Sequence, residues 1–191
     1  ICGAGALGGN LAILLAQQNF INLRIVDRDR VAERNIGTQP YTIQDVHAYK
    51  GTILQRYLYR KCRARVEPYN VELSYENASS LLKETDLVVD AFDNSKGRQV
   101  VKDVCNELNI PCLHVGMNSD GYGEVAWNER YTIPKDTGVD LCDYPLALNL
   151  VWVTVALAAE SIIRYFHNGE KKSYCFTLRD LKVSELSTTP L

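Results

Sequence analysis

The chain has 191 residues, of which 46% are apolar and 23% charged, and its formal net charge is -2. This balance is typical of one globular domain with a hydrophobic core, so we expect a single domain over residues 1–191. Because the overall charge is close to neutral and the Lys and Arg residues are taken to be scattered, we expect neither a nucleic-acid partner nor a membrane partner.

Apolar spacing and turn residues predict alternating strands and helices in the first two thirds of the chain. Ile1 and Cys2 are predicted to end a strand, and a glycine-rich turn follows. A long helix over 43–62 is predicted with Asp45 as its cap. The other predicted helices cover 10–20, 76–85 and 94–109, and the other strands cover 22–27, 64–70, 86–92 and 110–116. This order predicts an α/β fold with a Rossmann-like, doubly wound and mostly parallel sheet.

The pattern changes near residue 121. Antiparallel strand material is predicted over 121–133, then a loop, a buried helix over 146–167 and a last strand over 173–181. The apolar run of that helix is interrupted by Asn149, Glu160 and Arg164, so it falls short of the roughly 20 residues that span a bilayer. The abrupt start within a strand leads us to expect that amino-terminal residues are missing.

The six cysteines form no C-x-x-C pair, which favours neither a structural zinc site nor a compact disulfide framework. We therefore expect reduced thiols, a cytoplasmic protein and no structural zinc. The three histidines share no metal-binding spacing and are expected to be structural or surface residues. The cysteines are Cys2, Cys62, Cys105, Cys112, Cys142 and Cys175.

The turn after the first strand carries the pattern G-x-G-x-x-G at Gly3, Gly5 and Gly8. Asp27 ends the next strand, at the spacing where a carboxylate accepts hydrogen bonds from ribose hydroxyls. The pattern predicts a nucleotide site but does not separate NAD, FAD, S-adenosylmethionine and ATP. The alternative is a turn used only for packing.

A second group of polar residues follows the strand over 86–92. Asp90 and Asp93 are expected at the carboxyl edge of the sheet, where a carboxylate can hold Mg²⁺ on nucleotide phosphates. Asp90 lies within an apolar strand and needs a partner or a metal there. Asn94 is equally well explained as a helix cap. Lys50 is placed on the predicted helix over 43–62, from which it can reach a polyphosphate.

Together these residues resemble the ThiF/MoeB-like adenylating enzymes, which are related to the adenylation domains of ubiquitin-activating enzymes. The match covers nearly the whole chain and rests on the Gly3-x-Gly5-x-x-Gly8-Gly9 turn, on "VDRDRVAERNIGTQ", on Lys50 and on "DAFDN". The resemblance implies that the turn and Asp27 hold ATP and that Asp90 takes the magnesium role. It also implies that three residues surround the triphosphate, namely Asn35, Gln39 and Lys50.

The implied reaction is adenylation of the carboxy-terminal carboxylate of a ubiquitin-like or sulfur-carrier protein by ATP and Mg²⁺. The resemblance further implies a homodimer, and Cys142 falls where relatives carry a cysteine that links covalently to the carrier. One departure concerns phosphate binding, because Thr38 stands where the family has an arginine. Whether Arg28, Arg30 or Arg34 supplies that charge stays open.

Three other functions are left open by the sequence. An NAD-dependent dehydrogenase would use the same glycine turn, but no sizeable substrate domain follows it. A scaffold subunit that binds nucleotide weakly would explain Thr38, although Lys50 and Asp90 are retained. An enzyme that activates a small carboxylate, such as that of a modified tRNA base, would need a basic surface that the composition does not suggest.

Overall fold

The computed structural model describes residues 1–135 and 147–186. Five helices and seven strands are defined in this part of the chain. The helices are α1 (Ala6–Gln17), α2 (Lys50–Cys62), α3 (Tyr75–Leu82), α4 (Ser95–Glu107) and α5 (Ala147–Asn168). The strands are β1 (Asn22–Val26), β2 (Arg65–Tyr69), β3 (Val88–Asp90), β4 (Cys112–Met117), β5 (Tyr122–Trp127), β6 (Tyr174–Thr177) and β7 (Val183–Glu185).

The strands follow the order that the sequence predicts for a parallel sheet with an antiparallel extension. β1 pairs with β2 and β3 pairs with β4, both in parallel, while β4 to β7 pair in antiparallel fashion. Cys2 forms parallel bridges to Val26 on one side and to Asp90 on the other, so the short first segment joins the two halves. The predicted α/β fold and the predicted strand end at Ile1 and Cys2 are confirmed.

Helices cover both faces of the sheet because neighbouring strand residues point to opposite sides. Val88 packs in a cluster with α3 and α4, whereas Val89 packs in a cluster with α1 and α5. In β1, Ile25 belongs to a third cluster with α2, and Val26 faces α3 and α4. β3 and the carboxyl end of β1 are therefore apolar on both sides, as in a doubly wound sheet.

The helix α5 packs on α1, β4 and β5 and contributes Val151, Val155 and Ile162 to the core. Its opposite face is exposed at Ala156, Glu160 and Arg164, so the predicted helix is buried along one face. The segment Leu148–Asn168 is long and apolar enough to cross a membrane by length and composition, a test that core helices of other proteins also pass. The prediction that no membrane is involved stays a prediction.

The predicted helix over 43–62 is wrong in its first half. Ile43–Asp45 forms a separate 3-10 turn, in which the Asp45 carboxylate accepts hydrogen bonds from the amide and hydroxyl of Thr42. The chain is then extended at Val46, and His47 has a φ of 72°. Asp45 therefore caps this turn instead of α2, which begins at Lys50 with Tyr49 as its cap residue.

Candidate nucleotide site

The glycine turn joins Cys2 to α1 at the carboxyl edge of the parallel strands. Gly3 has a φ of 94°, and a Cβ there would lie 2.9 Å from the carbonyl oxygen of Ala91. A Cβ on Gly8 would lie 1.9 Å from the carbonyl oxygen of Gly3, and one on Gly9 would meet Pro40 at 3.0 Å. Close backbone packing therefore requires glycine at positions 3 and 8, whereas Gly9 is tightly packed against the Pro40 side chain.

Gly5 differs from its neighbours because a Cβ at this position would meet nothing within 4 Å. Gly5 is the cap residue of α1, and no side chain caps the first turn of that helix. Open space beside unpaired amide groups at a helix amino terminus is what a phosphate group occupies in dinucleotide folds. The turn therefore fits a nucleotide phosphate, and the alternative of a turn used only for packing does not explain Gly5.

Asp27 follows β1 directly and ties the turn to the strand. Its Oδ2 accepts a hydrogen bond from the amide of Ala4 at 2.6 Å, and its Oδ1 accepts one from the amide of Asp29 at 2.6 Å. Burial raises the pKa of the Asp27 carboxyl above its ordinary value, although the charge of Lys50 and the two amide groups act against this rise. Each carboxylate oxygen keeps a second lone pair for a ribose hydroxyl.

Lys50 is the first residue of α2, and only 6% of its surface is exposed. Its Nζ lies 3.4 Å from Oδ2 of Asp29, a carboxylate that is itself mostly exposed. The Lys50 charge also acts on Asp27, so the carboxylates of Asp27 and Asp29 share this buried ammonium group. As a point charge, the ammonium group can also interact with an anionic ligand.

The segment after β1 brings Asn35 and Gln39 into the interior beside the turn. Oδ1 of Asn35 accepts a hydrogen bond from the amide of Ala32 at 2.9 Å, which leaves the amide nitrogen of its side chain as a donor. The Gln39 side chain is buried. One hydrogen bond joins the segment to α1, because Nδ2 of Asn10 donates to the carbonyl oxygen of Thr38 at 3.0 Å. The segment therefore lies against α1, and the predicted contacts of Asn35 and Gln39 with the triphosphate stay predictions.

Thr38 occupies the position of the missing family arginine. Its hydroxyl is buried and has no hydrogen-bond partner among the residues that the structure describes. A buried hydroxyl without a partner is uncommon in folded proteins. The hydroxyl is therefore available as a neutral donor to a ligand, but it supplies no charge.

The three arginines of this segment are held differently. Arg28 forms an ion pair with Glu72, with Nη1 2.7 Å from Oε2. Arg30 donates to the carbonyl oxygen of His47 at 2.7 Å, and its guanidinium lies 3.7 Å from the ring centre of Tyr49. Arg34 lies next to Asn35 in a 3-10 turn over Glu33–Asn35. The Arg28 guanidinium thus pairs with Glu72, and the Arg30 guanidinium lies against the Tyr49 ring.

Asp90 ends β3 and is fully buried. Its Oδ2 lies 2.7 Å from Nδ1 of His114 and 3.6 Å from Nη1 of Arg98, and its Oδ1 accepts the amide of Phe92 at 3.1 Å. His114, Arg98 and the Phe92 amide are thus the partners that the sequence analysis required for a buried Asp90. Its predicted role as a magnesium ligand stays a prediction.

His114 is one of the three histidines that were expected to be structural or surface residues, and it is fully buried. Its Nε2 lies 2.8 Å from Oδ1 of Asn128, and its ring stacks on Tyr131 at 3.8 Å between centres. The Tyr131 hydroxyl in turn accepts a hydrogen bond from Arg98 at 2.7 Å. A histidine within the buried strand β4 was the available signal, but only the parallel register of β3 and β4 brings Asp90 opposite His114.

Asp93 and Asn94 follow on the loop between β3 and α4. Asn94 caps α4, because its Oδ1 accepts a hydrogen bond from the amide of Gly97 at 2.8 Å. The Asp93 side chain is exposed, and its Oδ1 lies 3.3 Å from Nδ2 of Asn94. Asp93 is thus the carboxylate of this loop that solvent reaches.

Cys142 lies outside the described residues, so its covalent role stays a prediction. The five described cysteines are free thiols, of which Cys2, Cys105 and Cys112 are buried. Over residues 1–135 and 147–186, no three or more His, Cys, Asp or Glu side chains are grouped to hold a metal ion. The expectation of no structural zinc stays a prediction.

The sheet and the site together define a nucleotide-binding α/β domain of the Rossmann-like class. The chain belongs to the ThiF family, whose model matches residues 1–164. The resemblance drawn from the motifs is therefore confirmed.

Curated relatives of the chain include two adenylyltransferases. It is 37% identical to a sulfur carrier protein adenylyltransferase of Thermus thermophilus over 140 residues, covering 72% of the chain and 51% of the relative. It is 33% identical to the sulfur carrier protein ThiS adenylyltransferase of Bacillus subtilis over 119 residues, covering 60% and 35%. The chain thus spans about half of the first relative and about a third of the second.

Solved structures share the fold at low sequence identity. The structure of E. coli MccB with ATP superposes with a TM-score of 0.78 at 16% identity, covering 97% of the chain and 61% of MccB. PaaA superposes with a TM-score of 0.77 at 18% identity, covering 99% of the chain and 63% of PaaA. These similarities support the fold.

Proposed function

We propose that the protein adenylates the carboxy-terminal carboxylate of a sulfur-carrier or ubiquitin-like protein with ATP. The observation that carries this proposal is the position of Asp27, whose Oδ2 accepts a hydrogen bond from Ala4 in the glycine turn and whose carboxyl group interacts with the charge of the buried Lys50. Two adenylyltransferase relatives of known carrier type support the choice of ATP and of a protein carboxylate. Asp27 is assigned to the ribose, and Asn35 and Gln39 are assigned to the triphosphate.

The proposed reaction needs no general base, because the attacking carboxylate is already ionised at neutral pH. A carboxylate oxygen attacks the α-phosphorus, a new P–O bond forms, and the bond between the α-phosphorus and the bridging oxygen breaks. Pyrophosphate leaves with that electron pair, and an acyl-adenylate remains on the carrier. Catalysis then rests on positioning by the turn and on neutralisation of phosphate charge by Lys50 and backbone amides.

A magnesium ion bound with ATP would supply further charge neutralisation and phosphate orientation. Mg²⁺ usually takes one or two carboxylates and keeps several waters. Asp93 fits this need better than Asp90, because its side chain is exposed whereas the oxygens of Asp90 face His114, Arg98 and the Phe92 amide. We assign Asp93 to the ion and Asp90 to the anchoring of the loop that carries it.

The proposal includes a second step at Cys142. The Cys142 sulfur would attack the acyl carbon of the adenylate after losing its proton to solvent, the C–O bond to AMP would break, and AMP would leave. The product would be a thioester between Cys142 and the carrier. A reducible adduct that disappears in Cys142→Ser is the expected result, and an adduct that persists in this variant would contradict the second step.

The proposal also includes a homodimer in the cytoplasm. Trp152 on α5 is exposed, and tryptophan is enriched at interfaces between protein surfaces. Free thiols at the described cysteines suit a reducing compartment. Light scattering on the purified protein, with Trp152→Glu as the comparison, tests the dimer.

Pyrophosphate exchange is the test of the proposed reaction. The purified protein is incubated with ATP, Mg²⁺, labelled pyrophosphate and each sulfur-carrier or ubiquitin-like protein of the same genome. We expect label to enter ATP only when a carrier is present, and we expect no exchange with Lys50→Ala. A folded protein that exchanges with none of these carriers would contradict the proposal and favour a scaffold subunit. Tighter binding of NAD than of ATP with Mg²⁺ in calorimetry would favour a dehydrogenase.

A further inference from the structure

The carboxy-terminal half of α2 and the start of β2 carry a local excess of positive charge. The segment has no acidic residue between Asp45 and Glu67, and its cationic side chains are all exposed. The expectation of scattered cations is wrong for this segment, because an overall charge of -2 conceals a local cluster. The five cations are Arg56, Arg60, Lys61, Arg63 and Arg65, and we call them together with Tyr57 and Tyr59 the basic surface.

The cations of the basic surface are not neutralised by carboxylates. None of the five forms an ion pair within residues 1–135 and 147–186, whereas cations elsewhere do. For comparison, Lys171 lies 2.5 Å from Glu129, and Arg164 lies 2.7 Å from Glu160. Like charges this close repel one another, so the cluster is poorly explained by the stability of the domain.

Two tyrosines stand among these cations in a repeated arrangement. The Lys61 Nζ is 3.0 Å from the hydroxyl of Tyr57 and 5.3 Å from its ring centre. Arg63 Nη1 is 3.4 Å from the hydroxyl of Tyr59, and its Cζ is 5.4 Å from that ring centre. Each cation therefore lies at the hydroxyl end of a ring, and the rings are 38% and 53% exposed. Each pair offers a charge and an aromatic face side by side.

Arg63 also occupies an unfavourable backbone position. It follows the last residue of α2 with a φ of 59° and a ψ of 21°, the left-handed conformation in which glycine is preferred at a helix end. A long cationic side chain at this position is unfavourable for the fold compared with glycine. A residue held in an unfavourable backbone conformation supports a hypothesis of function, and here the Arg63 side chain supplies the cation beside Tyr59.

The basic surface lies far from the nucleotide site. Arg60 is ten residues along α2 from Lys50, a rise of about 15 Å. Arg65 begins β2 and pairs with Asn22 at the amino ends of the strands, whereas the nucleotide site lies at their carboxyl ends. A pocket of about 400 Å³ borders the surface, between Arg56, Tyr59, Arg65 and Glu67. Any ligand here is additional to the nucleotide.

We propose that the basic surface binds single-stranded RNA. Cations that follow a backbone, together with aromatic rings that accept stacked bases, are the chemistry of single-strand recognition. Glu67 borders the pocket with Oε2 on Arg24, and its other oxygen can accept a hydrogen bond from a ribose 2′-hydroxyl, which DNA lacks. A lipid surface fits less well, because no exposed aliphatic residue of α2 is available to insert.

Fluorescence anisotropy with a labelled oligouridylate of about 20 nucleotides tests the proposal on the purified protein. The logarithm of the binding constant should fall linearly with the logarithm of salt, with a slope of up to about 3.5 for five neutralised phosphates. Arg60→Gln/Lys61→Gln should flatten this slope by about 1.4. Lys171→Gln/Lys172→Gln removes the same charge from paired cations and should leave the slope unchanged.

The tyrosines and Arg63 give independent readouts. Tyr59→Leu should weaken binding about fivefold or more at every salt concentration without changing the slope, because it removes stacking and no charge. Arg63→Gly should reduce the slope by about 0.7 while the thermal midpoint stays at or above that of the wild type. This variant separates lost binding from lost folding.

Several outcomes would overturn the proposal. They are no binding of the oligouridylate, a slope unaffected by Arg60→Gln/Lys61→Gln, and equally tight binding of polyglutamate of the same charge. Binding to vesicles of phosphatidylserine and phosphatidylcholine without binding to the oligouridylate would assign the surface to lipid. Equal binding of oligothymidylate of the same length would remove the assignment to RNA. None of these measurements needs ATP or a carrier, so they stand apart from the proposed adenylation.

Discussion

Oδ2 of Asp90 lies 2.7 Å from Nδ1 of His114, and both side chains are fully buried. Arg98 lies near the same carboxylate oxygen, with its Nη1 at 3.6 Å. We expect His114→Ala to lower the free energy of unfolding by about 3–5 kcal/mol, because removing one partner leaves a buried carboxylate under-compensated. Urea unfolding measures this change.

In contrast to His114, we expect a substitution of Asp93 to affect activity and not stability. Because its side chain is exposed, Asp93→Asn should change the free energy of unfolding by less than about 0.5 kcal/mol. We expect the same variant to abolish carrier-dependent pyrophosphate exchange at limiting Mg²⁺, with partial recovery as Mg²⁺ is raised. Full exchange by Asp93→Asn at every Mg²⁺ concentration would return the magnesium role to Asp90.

Two glycines of the turn should respond differently to the same substitution. A Cβ on Gly8 would lie 1.9 Å from a carbonyl oxygen, whereas a Cβ on Gly5 would meet nothing within 4 Å. We expect Gly8→Ala to destabilise the protein by about 3 kcal/mol or more and Gly5→Ala by less than about 1 kcal/mol. Gly5→Ala should nevertheless weaken ATP binding in calorimetry, since its methyl group enters the space assigned to phosphate. Unchanged affinity would place the phosphates elsewhere.

Lys50→Met tests the buried charge with a side chain of similar length. A charge-assisted hydrogen bond is worth about 1.5–3 kcal/mol, so we expect ATP affinity to fall about 10- to 100-fold. Lys96→Met is the matched control, because Lys96 is an exposed cation 3.7 Å from Glu72. An equal loss in both variants would mean that only the overall charge matters.

The raised pKa of the Asp27 carboxyl predicts a pH dependence of nucleotide binding. Burial raises its pKa in the folded protein, so the fold favours the protonated form, and this contribution to stability is lost as pH rises through the raised pKa. The ionised form accepts ribose hydroxyls better, so ATP affinity should fall as pH drops through that pKa, starting above the ordinary value of about 3.9. Because the Lys50 charge lowers this pKa, Lys50→Met should move the onset to higher pH. Asp27→Asn should bind weakly with no such onset, as calorimetry over a pH series would show.

Local sequence patterns determined the fold class, the glycine turn and the family. Periods of two and 3.6 residues, with glycines at fixed spacing, are short-range signals that a single sequence carries. The same reasoning failed at Asp45, where the helical composition of 43–62 concealed a break at Val46 and His47. That break depends on backbone dihedral angles that composition does not record.

The contacts between distant segments were decided only by the tertiary structure. Asp90 and His114 are 24 residues apart and meet because β3 and β4 pair in parallel. The open space at Gly5 and the crowding at Gly8 belong to one motif, yet they are distinguished only by what packs against each residue. Burial and register are properties of the whole chain, so a sequence names the candidates for a site while the packed structure decides which charges face a ligand and which face one another.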